Sequence, residues 1–534
     1  MKFPIFLMVS AGVFLGSNAA LANDIYIAQT AAGANNGQDC ADADSIAFFN
    51  KASDWGTGAN QIGPGTVVYL CGTITTGLQI NGSGTSGNVI EVLWTTGARI
   101  SVAYGQIINL NGSYGYLLFD GGAACGPGTS CDSVELANTT GYAPGQAGII
   151  EATANGSGLA NQNTSTQAFY GCNGCHDIEI RNLIVRNLYQ HTTTSDGTSS
   201  ADTGDFTFQC PEGNSGCASG TISIHDSTVH DNGNAISLQR TNSVTFNVYH
   251  IDFYHNNWAM ENSGNGTRTL NFHDNHCHDA SNWDTSNDAF HHNCVHNYMN
   301  VPSDSLAINF YNNLSNGNWG SCCTTDTMLY VETDNPNNFN VFNNVCVQYA
   351  GNTAPCIQLG ATTGLLANNT AIGVTPAANT EAFEVYGANL TVENNAASGY
   401  GQFIVVAPGT TFAAFNYNQW GTTEGNGNSP WQYGSTGANT FPTWKTTCAC
   451  DSSGGNPSSL GVNASGVPQL GSSVIGAGAN LTSLGIAALD SGTSAGGTVT
   501  PVGRPATGAW DVGAYPFSTS VAPNAPTFLS AAAI

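Results

Sequence analysis

An all-β chain wound as a parallel β-helix is the fold class that the 534-residue sequence predicts. Three observations support it: a recurring strand–turn–strand pattern, a turn-rich composition poor in charge, and end segments that suit a solenoid.

The chain opens MKFPIFLMVSAGVFLGSNAALAND, where Lys2 precedes an apolar run and Ala20, Leu21 and Ala22 place small residues where a signal peptidase reads. Residues 1–22 are expected to be an export signal, and their removal makes the formal net charge of −26 one unit more negative. No other apolar stretch is long and uninterrupted enough to span a bilayer. A secreted protein, extracellular, periplasmic or surface-attached, is expected. DSIAFFNKASDW, residues 44–55, begins with a capping Asp or Ser and carries Ile46 and Phe49 on one face, so a short helix closing the solenoid is expected there. GPGTVVYLCGTI, from Gly63, then reads as a first strand.

The repeat appears when TISIHDSTVHDN (from Thr221), TLNFHDNHCHDA (Thr269), AINFYNNLSN (Ala307), FNVFNNVCVQ (Phe339), GLLANNTAIG (Gly364) and NLTVENNAAS (Asn389) are laid over one another. Apolar and polar positions alternate, a polar turn follows, and a second short strand begins. The turn position recurs at Ser227, Ile251, Asn275, Asn313, Asn344, Asn369 and Asn395, with a period of about 24 residues stretched by insertions. Leu183 fits an earlier coil. A unit this small cannot bury a core alone, so coils must stack and share one. Asn suits the turn because its amide tolerates left-handed backbone geometry and can bond to its counterpart in the next coil.

Only 8% of residues are charged and Gly numbers 65, which suits a turn-rich exported β protein. Strong negative charge argues against nucleic acid and anionic membrane as partners, and also against polyuronates unless a metal or an arginine pocket intervenes. The 16 cysteines form an even set, and in an exported chain disulfides are expected. Candidates are Cys40 with Cys71, Cys125 with Cys131, Cys172 with Cys175, Cys210 with Cys217, Cys277 with Cys294 and Cys346 with Cys356. CNGCH, ending at His176, matches a c-type haem attachment pattern. Strand follows it directly and it occurs once, so a disulfide is the better reading and haem is not expected.

The opening from Gly63, GSGTSGNVIEVLWTTGARISV from Gly82, the Asn-turn coils, and RPATGAWDVGAYPF from Arg504 together resemble secreted right-handed parallel β-helix proteins of the pectin-lyase-like superfamily. The resemblance covers nearly the whole mature chain and implies a right-handed solenoid over residues 23–517: a cap at 23–80, repeat coils at about 176–420, and an irregular region at 421–517. Residues 518–534 read as a Pro/Ala-rich tail. Such a fold hosts lyases, hydrolases and proteins without catalytic activity, so function must come from a site. Members that cleave polysaccharide usually do so in a groove along one sheet.

Aligning one strand per coil proposes that groove. Ile236, Met260, Val295, Leu329, Ile357 and Phe383 point inward, so the following residues, Ser237, Glu261, His296, Tyr330, Gln358 and Glu384, point outward. A second outward column holds Gln239, Ser263, Tyr298, Glu332, Gly360 and Tyr386. Inserted loops before Asn293 and before Tyr330 would wall the groove with Trp283, Asp284, Asp288, His291, His292, Trp319 and Asp326.

Two chemistries fit. β-Elimination would use His296 as base, Tyr298 or Tyr330 as acid, and Arg240 or Arg268 to neutralise a uronate. The mature chain offers only Lys51 and Lys445, both distant, so the usual lysine base is missing. Hydrolysis would pair Glu261 with Glu332, or either with Asp288. Trp283, Trp319, His291, His292 and Glu384 would bind substrate. The paired-Asp hydrolase signature and the calcium-lyase cluster of the superfamily are not visible, so a non-catalytic surface or carbohydrate-binding protein is the alternative. Either way the expected partner is a polysaccharide or cell-wall glycan, met by a monomer. Separately, Asp252, His276, His278 and Asp279 converge by register and could hold a divalent metal, calcium or zinc, although no cofactor is required.

Overall fold

The structure is a computed structural model that describes residues 24–123, 125–127, 148–153, 166–188, 204–209, 217–239, 241–264, 266–280, 291–298, 306–319, 326–331, 338–348, 355–361, 363–374, 381–424, 427–486, 488–489 and 501–518. Among these, strands follow one another as rungs of a parallel ladder that begins at Ile25–Ala28 and ends at Trp431–Tyr433. Each complete coil contributes three strands. One coil runs through Leu306–Tyr311, Leu314–Asn316 and Thr327–Val331, and the next through Asn338–Phe342, Val345–Gln348 and Ile357–Ala361. Corresponding strands pair in register, which builds three parallel faces around one core. That core is a single apolar cluster from Ile25 to Trp444. Aromatic rings stack along it, as where Phe272 meets Phe310 at 5.5 Å.

The corner after the first strand explains the repeat. Asp226, His250, Asp274, Asn312, Asn343, Asn368 and Asn394 all have φ between 51° and 59°. The residue after each turns inward. The backbone N–H of Asn275 donates to Asn313 Oδ1 (3.1 Å), that of Asn313 to Asn344 Oδ1 (3.1 Å), and that of Asn369 to Asn395 Oδ1 (3.1 Å). The side-chain amides of this ladder also donate to core-facing carbonyls such as Phe272 O and Val341 O. The sequence reading gave the left-handed turn and the ladder to one Asn; they belong to two consecutive residues. The reason is geometric: the turn residue faces out, and only its successor can satisfy the buried amides left where the ladder bends.

Coils also begin earlier than the repeat suggested. Val67–Cys71, Ile90–Trp94, Gly115–Asp120 and His176–Arg181 already stack in order. Insertions hid them: Arg181 bonds to Asp120 across 61 residues, and Leu183 to Ser227 across 44. The expected helix over residues 44–55 shrinks to one turn, Ile46–Phe49, followed by a 3-10 turn, Ala52–Asp54. Asp44 and Ser45 are drawn into a strand against Ile27 and Ala28, and Ser45 makes no side-chain cap. Ile46 and Phe49 do face the core.

The irregular C-terminal region covers the outer side of the face built from the second strand of each coil. Ala514 and Tyr515 pack on Leu314 and Val345, while Leu460, Val474 and Val512 pack on Ala396. Arg504, from the terminal motif, donates to Gly513 O (2.8 Å) and to Asn343 Oδ1 (3.1 Å), pinning this cover to a corner. Disulfides join Cys40–Cys71, Cys172–Cys175, Cys277–Cys294, Cys346–Cys356 and Cys448–Cys450. The last pair was not foreseen. Cys125 and Cys217 are also oxidised; Cys131 and Cys210, their expected partners, lie outside the described residues, as do the signal segment and the tail from residue 519. Because Cys172 and Cys175 bond to each other, their sulfurs are not free to form haem thioethers.

Candidate functional site

Strand register builds the groove column directly. Ser237 pairs with Glu261, Glu261 with His296, His296 with Tyr330, Tyr330 with Gln358, and Gln358 with Glu384. The inward partners Ile236, Met260, Val295, Leu329, Ile357 and Phe383 are all fully buried, which fixes the opposite direction for their neighbours.

At the centre, the Glu261 carboxylate is oriented from the preceding coil. Ser237 Oγ donates to Glu261 Oε2 at 3.1 Å, and Gln239 Nε2 donates to Ser237 Oγ at 3.0 Å and reaches Glu261 Oε2 at 3.5 Å. One rung on, His296 is enclosed by rings. Trp258 meets it edge-on at 4.8 Å, His291 edge-on at 5.0 Å, and Tyr330 stacks on it at 5.1 Å. The Trp258 indole N–H donates to His291 O, and His291 Nδ1 lies 2.5 Å from Asn293 Oδ1. His296 is thus only 6% exposed, while Tyr298 stands out at 38%. A carboxylate, an imidazole and an aromatic rim meet within two rungs, about 10 Å.

Several expected residues stand elsewhere. Arg268 does not face the groove: it shares the inward side of Arg268–His273 with Leu270 and Phe272 and is 1% exposed. Its Nη1 donates to Asn262 Oδ1 (2.6 Å) and Ser263 O (2.9 Å), so the guanidinium satisfies core acceptors and cannot neutralise a bound uronate. His292 is fully buried, its Nδ1 2.6 Å from Trp319 O and its backbone N–H donating to Asp326 Oδ1 at 2.6 Å. Trp319 is 7% exposed and donates its indole N–H to Asn316 O. His292 and Trp319 thus knit the loop bases together instead of forming open sugar platforms. Trp283, Asp284, Asp288, Arg240 and Glu332 lie outside the described residues.

Glu381, not singled out from the sequence, joins Glu384 at the far end of the column. Burial and the neighbouring Glu384 carboxylate push its pKa up to about 7, and burial raises Glu384 as well. The signal was available in TEAFEVY, where two acids sit three residues apart on a strand. They lie four rungs from Glu261, roughly 19 Å, too far to act on the same bond.

A second polar cluster occupies the face built from the second strand of each coil. Asp252 pairs with His276, and Tyr254 with His278. Asp252 Oδ1 lies 3.1 Å from His276 Nδ1 and 3.1 Å from His278 Nε2. Burial opposes the Asp252 charge, but the two histidine hydrogen bonds outweigh it and hold the carboxyl below its usual range. His278, between two carboxylates, overcomes its own burial and rises to about 9. Asp279 is turned to the outer nitrogen of His278 at 2.7 Å and does not join the convergent set.

Neither a protein-family model nor a curated protein sequence matches the chain. Among solved structures, pectate lyase Pel9A aligns over 93% of this chain and 96% of its own, at 13% identity and a TM-score of 0.37. A GH136 lacto-N-biosidase from Eubacterium ramulus aligns over 77% of this chain and 67% of its own, at 9% identity and a TM-score of 0.40. The parallel β-helix described above is read from this chain's own strand register. No helix among the described residues is long and apolar enough to cross a membrane.

Proposed function

We propose that the protein is an extracellular, carbohydrate-active β-helix protein that lays a polysaccharide or cell-wall glycan along the column from Ser237 to Glu384 and hydrolyses it. One observation carries the reading: the Glu261 carboxylate, oriented by Ser237 and Gln239, sits one rung from an imidazole framed by Trp258, His291 and Tyr330. Sugars offer hydroxyls to a carboxylate and C–H faces to aromatic rings, and this patch offers both.

Hydrolysis is preferred over elimination because a lyase must neutralise a uronate carboxylate. Arg268 is committed to the core, and the chain's charge of −26 repels a polyanion. For the second carboxyl that hydrolysis requires, the sequence reading offers Glu332 or Asp288. The abundance of disulfides supports an oxidising, extracellular setting.

The test is to incubate the mature protein with a panel of neutral and acidic polysaccharides, following reducing ends and ultraviolet-absorbing unsaturated products together. Reducing ends without unsaturation support hydrolysis; unsaturated products mean a lyase. Glu261→Gln is expected to lower the rate by roughly 100-fold or more while leaving the thermal midpoint unchanged. Binding without any cleavage across the panel would establish the second reading, a non-catalytic glycan binder, which the near-burial of His296 at 6% exposure favours.

A further inference from the structure

On the face built from the second strand of each coil, away from the groove, three side chains from two successive coils point their donor atoms at one another. Asp252 comes from one coil, and His276 and His278 from the next, where they flank the inward Cys277. Their donor atoms all lie within 4.8 Å, and among the described residues they are the group able to hold a metal ion. We propose that Asp252, His276 and His278 bind one divalent ion of the zinc type, and that the site staples these two coils where the C-terminal cover begins.

The geometry is close to that of a coordination sphere. Ligands bound at 2.0–2.1 Å in a tetrahedron lie about 3.3 Å apart. Asp252 Oδ1 is 3.1 Å from each of the two imidazole nitrogens, so an ion can enter with small side-chain adjustments.

A second observation concerns the other ring nitrogens. His276 Nε2 lies 2.8 Å from Asn316 Oδ1, and His278 Nδ1 lies 2.7 Å from Asp279 Oδ2. Asp279 is itself held, its Oδ1 accepting from the Asn318 backbone N–H at 2.7 Å. Each ring has an outer acceptor for an N–H, so its inner nitrogen, which now hydrogen-bonds to Asp252, can give up that proton and offer its lone pair to a metal. This is how ligating histidines are oriented by an outer shell. A divalent ion can take the place of the protons that bridge these two nitrogens to Asp252 Oδ1, with their release. The rings stack at 4.1 Å and Tyr254 stacks on His278 at 5.2 Å, which limits ring rotation.

Two nitrogens and one carboxylate oxygen select the ion class. Imidazole suits zinc, nickel, copper and cobalt, whereas calcium and magnesium require more oxygen ligands. The site also has a position in the fold. The outward column that begins with Thr228, Asp252 and His276 continues as Leu314 and Val345, which the C-terminal segment covers with Ala514 and Tyr515. A bound ion would therefore hold the last uncovered polar rung beside that cover. No part of this inference depends on the groove chemistry.

The experiment uses the full mature chain, stripped with chelator and titrated with Co(II), then Zn(II), then Ca(II), by calorimetry and visible absorption. The expected result is one Co(II) per chain with a visible ligand-field band, displacement by Zn(II), and no competition from Ca(II). Asp252→Asn preserves shape and is expected to weaken binding by roughly 100-fold, and Asp279→Asn, which acts through His278, by roughly 10-fold. Failure of folded wild-type protein to take up one ion overturns the proposal. So does binding of unchanged affinity in Asp252→Asn. A His276→Ala, His278→Ala double variant adds confirmation if it folds, and the conclusion stands on Asp252→Asn if it does not.

Discussion

Asn344 and Asn369, 25 residues apart, are joined twice through one oxygen: Asn369 Oδ1 accepts the Asn344 backbone N–H at 3.0 Å and its side-chain amide at 2.9 Å. Asn369 in turn donates to Val341 O at 3.0 Å. Replacing Asn369 with Ala leaves two donors and one acceptor unpaired in a fully buried corner. The expected loss is about 3 kcal/mol, measured by denaturant unfolding. The matching change at half-buried Asn340, on the outer face, is expected to cost less than about 1 kcal/mol; equal losses would contradict the ladder's role.

Arg268 separates a core role from a substrate role. Arg268→Met removes the donors to Asn262 Oδ1 and Ser263 O and is expected to destabilise the fold by roughly 3 kcal/mol. A variant that keeps its thermal midpoint but loses affinity for a uronate polymer would restore Arg268 to the groove.

Trp258 positions the imidazole that the groove presents. Its indole N–H holds His291 O, and its ring edge meets His296. Trp258→Phe keeps the ring and removes the hydrogen bond. A fall in kcat/KM of roughly tenfold or more is expected, carried mainly by kcat, with little change in thermal midpoint.

Stability is expected to peak in mildly acidic solution. Asp451 ends the Asn ladder, accepting from Trp420 Nε1 at 2.7 Å, and burial pushes its pKa up to about 6. Glu381 is pushed to about 7. Each holds its proton more tightly folded than unfolded, so its contribution is complete below about pH 4 and disappears as pH rises through 6 to 7. For Asp451 this amounts to roughly 3 kcal/mol. His225, raised by Asp226 and Glu179 against its own burial, acts in the same direction. On the acid side, Asp226 is held well below its usual range by His225 and His250, and its stabilisation is lost as pH falls below about 4. Unfolding free energies measured from pH 3 to 8 check the shape, and Asp451→Asn is expected to flatten the limb between about pH 4 and 6.

The Cys277–Cys294 disulfide spans 17 residues and anchors the strand that carries His296. Replacing both cysteines with Ala is expected to lower unfolding stability by roughly 3 kcal/mol. It should also reduce groove activity, since Cys294 packs in the core two residues before His296. Unchanged stability with all other disulfides intact would show that the solenoid alone holds this strand.

Much of this architecture was legible before any coordinates. Alternation placed Ile236 and Met260 inside and Ser237 and Glu261 outside, and the structure pairs them in that register. The spacing of cysteines also anticipated Cys277 with Cys294. The failures share a cause. Arg268 sits on the apolar side of its strand, which alternation could have shown, but it was read as a groove residue because a charged side chain suits a uronate. Trp319 and His292 were read as exposed because they lie on loops, whereas each is tied to neighbouring backbone.

By itself, the sequence determined the solenoid, its period and the face each strand residue takes, because these follow from local rules: side chains alternate, and each coil must share its core with the next. Tertiary structure alone decided which acceptors a buried group would find. The core hydrogen bond of Arg268 to Leu238 O and the tie of His292 to Trp319 O join residues from different coils. Unpaired polar groups are costly in a packed interior, so those partnerships are settled by how the coils stack, not by any single stretch of chain.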